Sequence, residues 1–284
     1  NDLLRWKKEQ GKTALLIEGA RRVGKTTIAE EFGKNEYKSY ILIDFSITSD
    51  EMKSIFIRYA SSLKDFFFFL STLTNITLHT RNTLIIFDEV QLFPQARQLI
   101  KHLVKDNSYD YIETGSLLSI KQNVKDILIP SEERALIMHP LDFEEFCTAL
   151  GQKKIIKIIK DHFDELKPLG PLHSQTMKLF RQYLLVGGMP QAVLEFIHTN
   201  DYTKVDQIKR DILRLYRNDI TKYAKGYESK VLQIFDGIPA QLSKHEKKFR
   251  LASISKDARF REYEDAFMWL DEAMLTNTCF NSDD

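Results

Sequence analysis

Nine residues, Gly19-Ala-Arg-Arg-Val-Gly-Lys-Thr-Thr27, carry the clearest chemistry in the chain. Their spacing, G-x-x-x-x-G-K-T, is that of a loop that wraps phosphates in backbone N–H groups while a lysine neutralises charge and a hydroxyl holds Mg²⁺. Gly19, Ala20, Arg21, Arg22, Val23, Gly24, Lys25, Thr26 and Thr27 are therefore the candidates for nucleotide binding. Lys25 is expected to contact the β- and γ-phosphates, Thr26 to ligate Mg²⁺, and Gly24 to let the backbone approach closely. The other reading, a glycine-rich turn with an incidental lysine, does not account for the apolar run ALLIE that leads into the motif and the helical pattern that follows it.

A second cluster ends the run TLIIFDEV. Asp88 and Glu89 stand at the carboxyl end of an apolar stretch, where ligands bind in an open parallel sheet. Asp88 is placed to hold Mg²⁺ through water, and Glu89 to orient and deprotonate a water attacking the γ-phosphate. In YIETGS, Thr114 or Ser116 could reach the γ-phosphate or that water, although ordinary turn chemistry explains Thr-Gly-Ser nearly as well. Arg134 opens a later apolar run and could stabilise phosphate charge in its own or a neighbouring subunit, which allows an oligomer; a surface ion pair is the other reading of a lone arginine. Gly187-Gly-Met-Pro190 reads as a helix break in any protein.

Positioning these residues takes alternating strands and helices. Strands are expected at Ala14 to Glu18, Tyr40 to Phe45, Thr83 to Phe87, Tyr109 to Thr114 and Arg134 to Met138. Between them lie helical patterns from the phosphate loop to about Gly33, from Glu51 to Leu73 in one or two pieces, and from Pro94 to Lys105. From Asp142 onward helix dominates, broken by KPLGP at Lys167 to Pro171. The expected organisation is an α/β phosphate-loop core with a five-stranded parallel sheet over residues 1–150, a helical lid domain over 151–227 and a terminal segment over 228–284. In that segment Tyr263, Ala266, Phe267, Leu270, Ala273 and Met274 fall at helical spacing and give one apolar face.

Composition sets the limits. Of 284 residues 43% are hydrophobic, enough for a packed core, and 41 Lys plus Arg against 40 Asp plus Glu create no global field for nucleic acid or an anionic membrane. Cys147 and Cys279 lie far apart, which argues against a disulfide framework or a zinc site and for a reducing compartment. With no apolar run long enough to span a bilayer and no signal-like start, the expectation is a soluble cytoplasmic protein without a membrane partner. The absence of an initiator methionine suggests a piece of a longer chain.

GARRVGKTT, LIIFDEVQLFP, TGS, the arginine before HPLDFEEF, and YLLVGGMPQAV, taken in order, resemble a prokaryotic family of AAA-type ATPases with a helical region, a winged helix and often a nuclease-like domain after the core. The resemblance covers most of the chain. It implies ATP with Mg²⁺, an acidic strand separated from the phosphate-loop strand by one sensor strand, Thr114 and Ser116 as sensor candidates and Arg134 as a charge stabiliser. The chain departs from the family in stopping around the winged helix, so a nuclease function has no support. GGMP is also similar to the glycine-proline motif of signal-transducing ATPases, in which Pro190 would lie against adenine. The lack of an N-K-x-D signature favours adenine over guanine.

The expected activity is ATP binding and hydrolysis coupled to domain movement. Alternatives are a nucleotide-dependent protein-interaction switch with slow or no turnover, and an ATPase acting on DNA through the basic segment Lys244 to Arg261, with Lys247, Lys248, Arg250, Lys256 and Arg259. The helix that follows, with Glu262, Glu264, Asp265, Asp271 and Glu272, would repel DNA and favours a solvated or protein-binding face.

Overall fold

In the computed structural model residues 2–116, 131–244, 249–254 and 259–279 are described. The elements are α1 (Asp2–Lys7), β1 (Ala14–Glu18), α2 (Lys25–Glu36), β2 (Ser39–Asp44), α3 (Asp50–Arg58), α4 (Leu63–Thr74), β3 (Thr83–Asp88), α5 (Pro94–Asp106), β4 (Asp110–Gly115), β5 (Glu133–Ile137), α6 (Phe143–Ala149), α7 (Lys153–Asp164), α8 (His173–Val186), α9 (Pro190–Thr199), α10 (Tyr202–Tyr223), α11 (Glu228–Leu242) and α12 (Phe260–Glu272). Contacts divide the chain into two compact units, Asn1–Met138 with Ser229–Asp284, and His139–Glu228.

The first unit is built on a five-stranded sheet in the order β2-β3-β4-β1-β5, every neighbouring pair parallel. This is a phosphate-loop α/β core, and β4 separates the acidic β3 from β1 as the resemblance implied. Parallel strands need covering on both faces, so their sequences read as unbroken apolar runs. On one face Leu16, Ile43, Ile85 and Phe87 meet α3, α4 and α5, where Phe56 packs edge-on against Phe45, Phe66, Phe87 and Phe93 at 5.1–5.7 Å. On the other face Leu15, Ile17, Leu84, Ile86 and Ile112 meet Leu3 and Trp6 of α1 and Ala29 and Phe32 of α2. Pro94 stands in the first turn of α5, where its missing N–H costs nothing.

The second unit is helical. Its core is formed by Phe146, Cys147, Ile155, Ile156, Leu179, Val186, Val193, Phe196 and Val205. Helix α6, counted with the first domain in the sequence reading, supplies two of these side chains and so packs here; its start is fixed by a capping box between Asp142 and Glu145.

In the terminal segment α12 buries Tyr263, Ala266, Trp269 and Leu270, and the Tyr263 hydroxyl donates to Gln233 of α11 at 3.1 Å. Among the described residues after β5 there is no strand, and the described elements of the terminal segment are α11, a 3₁₀ turn over Leu251–Ser253 and α12. Lys247, Lys248 and Lys256 of the expected basic segment lie outside the described residues.

Candidate functional site

The carboxyl ends of β1, β4 and β3 lie side by side, and each delivers part of the constellation. After β1 the chain turns through residues 19–24. Glycine is required at Gly19 because a Cβ there would stand 2.3 Å from the Met138 carbonyl oxygen, and at Gly24 because its φ of 96° is left-handed where α2 begins. Arg22 shares the left-handed conformation at φ 70°, so the loop is held in a shape that L residues rarely adopt. With no residue before Lys25 offering a side-chain cap, the first N–H groups of α2 face the loop as an anion-binding end.

Lys25 is buried. Its Nζ donates to the carbonyl oxygens of Gly19 and Ala20, each at 2.9 Å, and burial lowers its pKa to about 8 against the pull of Glu89 and Asp88. An ammonium held this way gains from a fixed anion at the loop.

Thr26 Oγ1 donates to Asp88 at 3.0 Å to both carboxylate oxygens, and Thr114 Oγ1 donates to Asp88 Oδ1. Burial pushes the Asp88 carboxyl above its ordinary value, with those two hydroxyls opposing and Glu89 and Asp44 adding to the rise. A hydroxyl and a carboxylate in contact form a hard oxygen pair that suits Mg²⁺, and a cation would relieve the crowding of acids. The residues present thus fit the metal that the motif calls for.

Glu89 has a left-handed backbone, φ 54°, ahead of a 3₁₀ turn over Val90–Leu92. Its Oε2 accepts from Ser116 Oγ at 3.3 Å and from Gln91 Nε2. The two hydroxyls of TGS are therefore divided: Thr114 serves the acid beside Thr26, and Ser116 serves Glu89. Sequence reasoning missed Gln91 and Asp44. Asp44 ends β2 in register with Asp88, a neighbour visible only once the strands are paired. The signal for Gln91 was its place two residues after Glu89.

Arg134 is not brought to this site by its own chain. In register it sits beside Leu15, four residues before Gly19 and thus about 13 Å down the strand, where its guanidinium pairs with Glu9 at 2.7 Å. The within-chain charge-stabilising expectation is corrected accordingly: the ion-pair reading holds. Pro190 lies in the second unit. There Gly187 ends α8 at φ 81°, Leu141 N–H donates to the Gly188 carbonyl at 2.8 Å, and Pro190 opens α9, so the GGMP turn is a helix break built around a close backbone contact.

Among the described residues no group of three His, Cys, Asp or Glu is arranged to hold a metal by itself, and no helix is long and apolar enough to cross a membrane.

A phosphate loop, an acid-ended strand one strand away and hydroxyls on the strand between make up a phosphate-loop nucleotide-binding fold. Residues 11–147, just under half of the chain, match the family described as an AAA domain. Residues 177–284 match a domain of unknown function, DUF8612. No curated protein matches the chain significantly. Among solved structures, the chain is similar to the Aeropyrum pernix ORC1 protein in complex with DNA at 11% identity, covering 96% of this chain and 82% of that one with a TM-score of 0.38. It is also similar to Drosophila ORC bound to DNA at 16% identity, covering 96% and 79% with a TM-score of 0.39. C. elegans PCH-2 aligns at 12% identity over 96% and 65% with a TM-score of 0.29. Scores at this level bear no weight on function.

Proposed function

We propose that the chain binds ATP with Mg²⁺ at the Gly19–Thr27 loop and hydrolyses it, with Glu89 as general base. The observation that carries the reading is the convergence of Lys25, the Thr26–Asp88 pair and the Ser116–Glu89 pair at the ends of three adjacent strands. Thr26 and Asp88 would hold Mg²⁺, which would supply charge neutralisation on the phosphate oxygens. Lys25 leaves the carbonyls of Gly19 and Ala20 for the phosphates. Glu89 accepts a proton from water as its oxygen bonds to the γ-phosphorus; the bond from that phosphorus to the β,γ-bridging oxygen breaks, and ADP leaves with the electron pair. Adenine as the base is supported by the lack of an N-K-x-D signature, while its packing against Pro190 rests on the resemblance, as does the coupling of nucleotide state to movement between the two units.

The test is a pair of variants. Glu89→Gln is expected to keep ATP affinity while turnover falls by about 100-fold or more, because an amide orients water but takes no proton. Lys25→Ala is expected to weaken ATP binding by roughly 100-fold, the loss of charge-assisted bonds to phosphate. Calorimetry with ATP and a phosphate-release assay measure both. Full turnover in Glu89→Gln would remove Glu89 as the base, and undiminished affinity in Lys25→Ala would remove the loop as the binding site.

A further inference from the structure

We propose that Gln91 is a positioning residue for hydrolysis, holding the Glu89 carboxylate in the orientation that receives the proton of the attacking water. The inference rests on the reading of Glu89 as the base and goes beyond it by assigning what orients that base.

The 3₁₀ turn after β3 supplies the geometry. It follows directly on the left-handed Glu89, is anchored by the fully buried Val90, and folds residue 91 back so that Gln91 Nε2 donates to Glu89 Oε2. Ser116, arriving from β4, donates to the same oxygen. The last torsion of a glutamate side chain is broad and roughly two-fold, so nothing intrinsic fixes which way the carboxylate faces. Two donors converging on Oε2 fix it, and Oε1 accepts no hydrogen bond among the described residues. That oxygen remains as the acceptor for water.

The state of Gln91 itself supports the assignment. Its carbonyl oxygen, Oε1, is buried and has no hydrogen-bond partner among the described residues. A buried acceptor without a partner costs stability, and its presence calls for an explanation. Turning the amide over would relieve nothing, because it would set the carbonyl against the Glu89 carboxylate. The amide is oriented by its donation to Glu89 and by the turn that delivers it.

The experiment uses the full chain as wild type, Gln91→Met, Glu89→Gln and the double variant, measuring steady-state ATP hydrolysis, ATP affinity by calorimetry and the thermal unfolding midpoint. Methionine keeps the length of glutamine and removes the donor. A carboxylate misplaced by about 1 Å costs on the order of 100-fold in rate, so kcat in Gln91→Met is expected to fall by about 10- to 100-fold with KM and Kd for ATP within about two-fold of wild type. In the Glu89→Gln background the same substitution is expected to leave the residual rate unchanged, because its effect passes through Glu89. Gln91→Asn, which keeps the amide but draws it back by one carbon, is expected to lower kcat with the same sparing of KM and serves as the second variant if the methionine protein does not fold.

An unchanged kcat in Gln91→Met, an equal fall in both backgrounds, or a fall in kcat matched by loss of ATP affinity overturns the proposal while leaving Glu89 in place. Retained turnover in Glu89→Gln alone overturns the base assignment and this inference with it, so the two failures are distinguishable.

Discussion

Along the strands that lead to the phosphate site, three carboxyl groups at successive levels act on one guanidinium, that of Arg97. Glu18 immediately precedes Gly19, Glu113 immediately precedes Thr114, and Glu133 opens β5; Arg97 of α5 binds Glu133 at 2.8 and 3.1 Å, and both side chains are almost fully buried. Glu113 is fully buried and neither of its oxygens has a hydrogen-bond partner among the described residues. Burial first, and then the Glu133 carboxylate, push its pKa well above 4.5 against the pull of Arg97. Burial beside the Glu133 carboxylate thus favours the protonated form of Glu113 over the charged one. The linkage has a definite sign: the unfolded chain releases this proton near 4.5 while the fold retains it. The contribution to stability is thus complete below that value and declines as pH rises through the folded pKa. Glu113→Gln keeps the shape and offers Glu133 a donor at every pH. Its unfolding midpoint, measured between about pH 5 and 9, is expected to fall less steeply with pH than that of wild type. Parallel curves would show that the cluster does not hold the proton.

At the scale of elements the second unit depends on the close contact inside GGMP. A Cβ on Gly188 would stand 2.1 Å from the Leu141 carbonyl oxygen and 3.0 Å from Leu141 N and C, and none of these backbone atoms can rotate away. Gly188→Ala must therefore part Leu141 from the α8–α9 turn and break the 2.8 Å bond between them. A cost of about 1–3 kcal/mol is expected, read as a lower midpoint in denaturant unfolding; a neutral substitution would mean that the two segments separate freely. The elements themselves were legible because their causes are local. All five strands fall within a residue of the apolar runs that announced them, and Pro94 and the phosphate-loop glycines marked helix starts. What was not legible depends on pairing. Register places Arg134 at the far end of β1, and only the fold brings Glu113, Glu133 and Arg97 together from three separate segments. The division of Thr114 and Ser116 between Asp88 and Glu89 is likewise set by the β3–β4 neighbourhood.

For the whole molecule the open question is DNA. A net charge of +1 gives no long-range attraction, so binding must come from a local face. The exposed face of α12 carries Glu262, Glu264 and Asp265 beside Arg261, and acids in that proportion oppose a phosphate backbone. A basic face among the described residues is on α7, which exposes Lys153, Lys154, Lys157 and Lys160 while Ile155 and Ile156 enter the core. Lys160 is held by Glu144 at 2.6 Å, leaving three lysines in no ion pair among the described residues. Three phosphate contacts predict weak, sequence-independent binding whose logarithm falls with the logarithm of salt at a slope of roughly −3. Duplex DNA is accordingly expected to bind at low salt, to lose the interaction in a Lys153→Glu, Lys157→Glu variant and to keep it in Arg261→Ala. It is expected to leave the rate of ATP hydrolysis unchanged at about 150 mM salt, where so few contacts are screened. Fluorescence anisotropy across a salt series and a DNA-titrated phosphate-release assay measure these outcomes. Turnover stimulated by DNA at that salt, and lost in Arg261→Ala, would instead place the nucleic acid on the terminal helices and make DNA the client of the ATPase.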